Sequence, residues 1–311
     1  MFHHFHDRSK HIASQGSMDG GAFCRLLHFL KECGYAILDP EEYICKALRD
    51  ALQPYETCVT FDDSLKCQFD IAKPILDGIG MKAFWFVYTS PMCGELERLE
   101  VYRHFRFSRF ADVEDFYSQF FKNVMEGEHD LGISYAESSE GFLRSGYCGD
   151  FAFYTESDRK YRYFRDIVLG PEKYFAIVDK MISDSGYDAQ SHRDVLWLSE
   201  GDIERLHGEG HYIGLHGHTH PTNMGELPYC LQMSEYRRNS DIIQSIVGSR
   251  PEVVSYPCGS YNGDTESIMR ELGVVLGFDA QAKTVIFDKM HIPREDHANI
   301  VREMRSGGIG F

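Results

Sequence analysis

Two adjacent carboxylates, Asp62 and Asp63, follow the short apolar run 58–61. Beside a divalent cation, one such carboxylate can bind the ion while its neighbour stays free to take a proton. The plainer reading is a turn that caps the next helix. A second run, His216-Gly217-His218-Thr219-His220, ends the apolar segment 212–215. On a helical turn His216 and His220 share a face and can bind one metal; in an extended segment all three histidines would share a face instead. Either way, so dense a histidine cluster points to metal binding more than to packing. The third run, Tyr256-Pro257-Cys258-Gly259-Ser260-Tyr261-Asn262, follows the apolar segment 253–256. It reads as a Pro/Gly turn, or as a rigid loop that aims a backbone N–H at a developing oxyanion.

The elements that must hold these groups alternate. Apolar runs predict strands at 35–38, 58–61, 83–87, 212–215, 253–256 and 274–278, with a short one at 2–6 and a last one at 284–287. Helical spacing predicts helices at 20–32, 41–51, 65–77, 202–208, 233–247 and 264–272. This rhythm predicts an α/β architecture with parallel strands. It also puts all three runs at strand ends, where α/β barrels carry their catalytic groups. The rhythm breaks over 92–190. One helix there carries Val113, Phe116, Tyr117, Phe120, Phe121 and Val124 on a stripe, and another starts near Pro171 with Tyr174, Phe175, Val178 and Ile182. Between them, 132–163 is rich in Gly, Ser and Tyr and shows no clear period. The expected organisation is one domain over 1–311 with a helical, aromatic-rich insertion at 92–190.

A 311-residue chain with 43% hydrophobic residues can bury a sizeable core. Its formal charge of −16 opposes non-specific nucleic-acid binding, which needs excess Lys and Arg. A neutral or zwitterionic sugar suits it better than an anionic polymer. No stretch approaches the roughly 18 apolar residues of a membrane span, and the opening residues show no apolar signal core. The nine cysteines are odd in number and none forms a C-x-x-C pair, which opposes a zinc ribbon or thioredoxin-type site. Reduced thiols in a cytoplasmic protein are the expectation.

Taken in order, the paired aspartates, the histidine cluster and the Tyr-Pro-x-Gly-x-Tyr-Asn turn resemble the polysaccharide deacetylase (NodB-homology, carbohydrate esterase family 4) superfamily. The opening Phe-His-His-Phe-His-Asp and the run Phe23 to Leu38 resemble its first elements. The resemblance covers about 1–90 and 195–296 and omits the insertion. It implies a distorted, incomplete (β/α) barrel holding one divalent metal, zinc first, with cobalt or nickel as substitutes. Carried over by motif position, Asp63, His216 and His220 are the ligands, Asp62 the general base, and the Cys258 backbone N–H part of an oxyanion hole. A late histidine serves as general acid: His291, which follows an expected strand, or else His297. The activity implied is removal of N-acetyl groups from an amino sugar in surface-polysaccharide or lipopolysaccharide biosynthesis. Alternatives are hydrolysis of another C–N bond (a formyl group or a cyclic amide), a non-catalytic glycan-binding relative, or an assembly protein using the aromatic insertion. The chain departs from the family pattern at Ser64, Gly217, Ser255 and Cys258. Ser255 stands where many members carry an arginine that orients the base, a task left to another residue such as Arg294.

Overall fold

The computed structural model describes residues 1–149, 155–280 and 288–307. Five parallel strands, β3 (Thr60–Phe61), β4 (Phe84–Val87), β5 (Tyr212–Leu215), β6 (Val253–Ser255) and β7 (Leu276–Phe278), pair in sequence order to form an incomplete (β/α) barrel. Short strands β1 (Ala36–Ile37) and β2 (Glu56–Thr57) form a separate parallel pair. All four β4 side chains are buried, as expected of a parallel strand covered on both faces. Gly214 in β5 is required by the packing, since a Cβ there would lie 2.5 Å from the Phe86 ring.

Helices follow the strands. Gly20–Glu32 starts at an Asp19 side-chain cap and buries Phe23, Leu26 and Leu27. The helix expected at 65–77 is instead a stretch of π-helix, Gln68–Ala72, running into Lys73–Gly78. Pro74 sits in the first turn of that second helix and has no N–H to continue the preceding ladder. The 2–6 strand reduces to isolated bridges, Phe2 to Phe61 and Phe5 to Met18. At the other edge Ile292 bridges Phe278. These two margins meet, because the His297 N–H donates to the Met1 carbonyl at 3.1 Å. A closing helix, His297–Ser306, was missed by the sequence pattern. The expected strand at 284–287 lies outside the described residues.

The chain divides into two compact units, Met1–Glu97 with His192–Phe311, and Arg98–Ser191. The second is helical, with Arg98–Arg109, Val113–Glu126, Tyr135–Ser145, Glu156–Tyr163 and Gly170–Ser185 as its main elements. Its aromatic stripe forms its own core: Phe105, Phe116, Phe120, Tyr161 and Phe164 are buried, and the Tyr161 and Tyr174 hydroxyls hydrogen-bond at 2.7 Å. The patternless 132–163 region contributes two of these helices, one capped by Ser134 and one by a Thr155–Asp158 capping box.

Candidate metal centre and active site

The C-terminal edge of the parallel sheet gathers the chemistry. Asp62 and Asp63 follow β3, His216 follows β5, and Ser255 ends β6. Asp63 Oδ1 lies 3.2 Å from His216 Nε2 and 3.3 Å from His220 Nε2. Tetrahedral ligands about 2.0–2.1 Å from zinc are roughly 3.3 Å from one another, so this triad needs almost no contraction to hold such an ion. The His216 Nδ1–H donates to the Ser255 carbonyl at 2.7 Å. That bond fixes the tautomer and leaves the Nε2 lone pair facing the carboxylate, the arrangement metal-ligating histidines adopt. The residues therefore fit a divalent cation.

Electrostatics agree. Burial opposes ionisation of Asp63, but the adjoining His216 and His220 hold it well below the usual carboxylate range. Burial pushes the His220 imidazole down to about 4. Burial also works against a charged His216, yet Asp63 and Asp62 pull it up. Asp63 and His220 are thus in the carboxylate and neutral imidazole forms a metal requires, and a cation binding at His216 would displace any proton held there.

Backbone conformation marks the same places. Among the described residues six non-glycines have positive φ, and Asp63 (78°), Ser64 (56°), His220 (58°) and Cys258 (53°) are four of them. Strain of this kind costs of order 1–3 kcal/mol per residue and persists where surrounding structure over-determines it. At Ser64 the hydroxyl donates to the Tyr88 carbonyl at 2.9 Å, which anchors a turn where a glycine was expected. Gly217, at φ 76°, replaces the more usual hydroxyl residue, and a Cβ there would come within 3.1 Å of Met224.

Asp62 has a different environment from its neighbour. Arg294 grips it with two bonds of 2.8 Å, and the Ser255 hydroxyl adds a third at 3.0 Å. Arg294 also donates to Ser255 Oγ at 2.7 Å. The guanidinium missing at position 255 thus arrives from beyond β7, and the small Ser255 leaves room for it. Burial alone would raise the Asp62 carboxyl, but Arg294, then His216, hold it down at about 2. Oδ2 accepts from both Arg294 and Ser255, whereas Oδ1 accepts from Arg294 alone and keeps a lone pair with which to take a proton.

His218 is turned away from the triad. Its Nδ1 lies 2.9 Å from Thr89 Oγ1 and its carbonyl accepts from the Thr89 and Ser90 N–H groups. It is a structural residue, and the histidine run is neither a helical turn nor an extended segment. Glu235 braces the turn by accepting from the His218 and Thr219 N–H groups, and Asn239 accepts from the His216 N–H. Cys258 occupies the left-handed turn Pro257–Gly259 after β6, with its thiol exposed.

The late histidines both have partners of their own. His291 Nδ1 pairs with Asp288 at 3.2 Å, its Nε2 lies 3.6 Å from Glu266, and its ring stacks on Tyr261. His297 is buried and its Nε2–H donates to the Gly16 carbonyl at 2.9 Å. The histidine beside the triad is His3, with Nε2 at 4.0 Å from Asp63 Oδ2 and Nδ1 at 4.0 Å from Asp296 Oδ2. Gln68 ties this segment down by donating to the His3 carbonyl at 2.9 Å and the Asp62 carbonyl at 2.6 Å. His3, Gln68 and Asn239 were not singled out from the sequence. The one sequence signal for His3 was its place in the opening run that resembles the family's first elements, and the structure leaves it half-buried between the buried Phe2 and Phe5.

A family model described as polysaccharide deacetylase matches residues 173–277. Among solved structures, the chain is similar to the Streptococcus pyogenes deacetylase PplD in complex with acetate (15% identity, 98% of this chain and 96% of that one, TM-score 0.53). It is likewise similar to IcaB from Ammonifex degensii (14%, 94% and 88%, TM-score 0.53). A de-N-acetylase from Aggregatibacter actinomycetemcomitans matches at 12% identity over 95% of this chain and 92% of that one, with a TM-score of 0.55. At such identities these likenesses establish the fold. No curated protein sequence matches the chain. The family model spans about a third of the chain, and its match falls on the β5 and β6 segments that carry His216, His220 and Cys258.

Proposed function

We propose that this protein is a metal-dependent N-deacetylase of an amino sugar. The observation that carries the reading is the division of labour between two adjacent aspartates. Asp63 faces two histidines whose lone pairs are free for a cation, while Asp62 is held ionised by Arg294 and Ser255. A binding module would have no use for the second, separately braced carboxylate.

A divalent ion held by Asp63, His216 and His220 would supply Lewis acidity, polarising the acyl carbonyl and easing ionisation of a water. Asp62 takes the proton from that water as it attacks the acetamide carbon. Arg294 keeps Asp62 oriented and unprotonated until then. The turn at Cys258 offers its backbone N–H to the oxygen on which charge develops. The departing amine needs a proton, and we assign this to His3 rather than to His291. His3 is the histidine within 4.0 Å of the triad, and Asp296 faces its other nitrogen in the manner of an orienting carboxylate. The products are acetate and the free amino sugar.

The net charge of −16 favours a neutral substrate. Two of the similar structures, a deacetylase in complex with acetate and a de-N-acetylase, support the acetamide class. Acetamido sugars of surface-polysaccharide and lipopolysaccharide precursors are the substrates to try first, and zinc the first metal. The test is an acetate-release screen on the zinc-reconstituted protein, with formate and ring-opened products measured in parallel. Acetate release that disappears on chelation and returns with zinc supports the reading. Formate or a ring-opened product in its place would move the protein to another C–N hydrolase class.

A further inference from the structure

We infer that the seam where the two margins of the barrel meet is a second zinc site, formed by His3 Nδ1, the Asp296 carboxylate and His297 Nδ1. These three ligand atoms lie within 4.8 Å of one another, the only such His/Asp/Glu/Cys group among the described residues besides the triad.

The key group is His297. Its side chain is nine-tenths buried, and its ring stacks at 20° on Phe2. Because a carbonyl can only accept, the 2.9 Å contact from Nε2 to the Gly16 carbonyl puts the ring's proton on Nε2. Nδ1 then carries a lone pair, is buried, and has no hydrogen-bond partner. It faces Asp296 Oδ1 at 3.5 Å. Two acceptors confront each other, and a buried Nδ1 without a hydrogen-bond partner is costly. His3 brings a second imidazole to the other oxygen, with Nδ1 4.0 Å from Asp296 Oδ2. Two imidazoles and a carboxylate are a zinc donor set. His216 shows the same signature in the triad, with one ring nitrogen spent on a carbonyl and the other facing a carboxylate.

The geometry also ranks the two sites. Ligand separations of 3.2 and 3.3 Å in the triad match tetrahedral zinc, whereas 3.5 and 4.0 Å at the seam require the groups to close in. The seam site is therefore the weaker. It is reachable, since the Asp296 side chain is about one-third exposed. His3 borders both sites, so an ion at the seam would occupy the imidazole proposed as proton donor. The site itself does not depend on that assignment.

The experiment is zinc uptake by chelator-stripped full-length protein, measured by equilibrium dialysis and elemental analysis at rising free zinc. Wild type should take up two equivalents in two steps, the second at least about tenfold weaker. Asp296→Asn preserves the helix cap, because Asn caps as well as Asp, and should lose the weaker equivalent only. His297→Gln should do the same. His216→Ala should lose the tighter equivalent and keep the Asp296-dependent one, so that failure at either site is separately visible. Saturation of wild type at a single equivalent, or an unchanged second step in Asp296→Asn, would overturn the inference.

Discussion

The centre of the sheet edge and the seam beside it hold the same residue types but were assembled differently. At the centre, each functional group lies in a short run directly after a strand: Asp62 and Asp63 after β3, His216 and His220 after β5. At the seam, His3 comes from one end of the chain, and Arg294, Asp296 and His297 from the other, joined only by the closure of the barrel. The centre is braced for tight ligand spacing and carries strained backbone at Asp63 and His220. The seam is looser and more exposed. The difference teaches that a site's metal can be fixed by local motifs while its proton chemistry depends on how the fold closes.

Breaking the centre should have the largest effect. His216→Ala should abolish tight zinc binding and with it acetate release, measured by metal analysis and product assay on the same sample. Replacing Arg294 with Met should rank next. It leaves the buried Asp62 without its counter-charge, a change that typically costs about 3–5 kcal/mol. Urea denaturation should show that loss, while Arg294→Lys should recover only part of it because it cannot make both bonds.

The seam's part in proton transfer is sharpened by a pair of variants. His3→Gln should lower kcat by about 10²-fold or more, keep the tight zinc, and remove the alkaline limb of the pH–rate profile. His291→Gln should change kcat little. If the two results were exchanged, the donor assignment would move to His291.

The smallest effect is on acid stability. Asp62 has its folded pKa depressed from 3.8 to about 2, so its contribution is present above pH 3.8 and is lost as pH falls toward 2. The shift corresponds to about 2 kcal/mol. In Arg294→Met only the His216 and His3 charges still oppose burial, the depression shrinks, and the stability lost between pH 3.8 and 2, followed by circular dichroism, should be smaller than in wild type.

The strands and their parallel arrangement were legible because hydrophobic period is local; the aspartate pair and the histidine cluster stood out as local runs, the family resemblance named Asp63, His216 and His220 among them, and the structure brings these three together. Ser255 could be read as a missing arginine, and the small side chain turns out to admit Arg294 from another element. His3 was not legible. Isolated bridges at Phe2 and Phe5 replace a regular strand there, and nothing in the sequence links position 3 to position 296. The helix beginning at His297 escaped because its apolar stripe is short: Ile300, Val301 and Met304 pack against the core, and of its ten residues only His297 and Met304 are buried. The histidine cluster left a helical turn and an extended segment open, and the structure has neither: positive φ at Gly217 and His220 bends the run so that His216 and His220 meet at Asp63 while His218 bonds to Thr89.

The central claim is that Asp62 and Asp63 have separate tasks. Zinc content and acetate release measured side by side on Asp62→Asn and Asp63→Asn test it most directly. The account predicts that Asp62→Asn keeps the tight zinc of wild type but loses turnover by about 10²–10⁴-fold, and that Asp63→Asn loses the zinc itself. Near-normal turnover in Asp62→Asn, or tight zinc retained in Asp63→Asn, would contradict it.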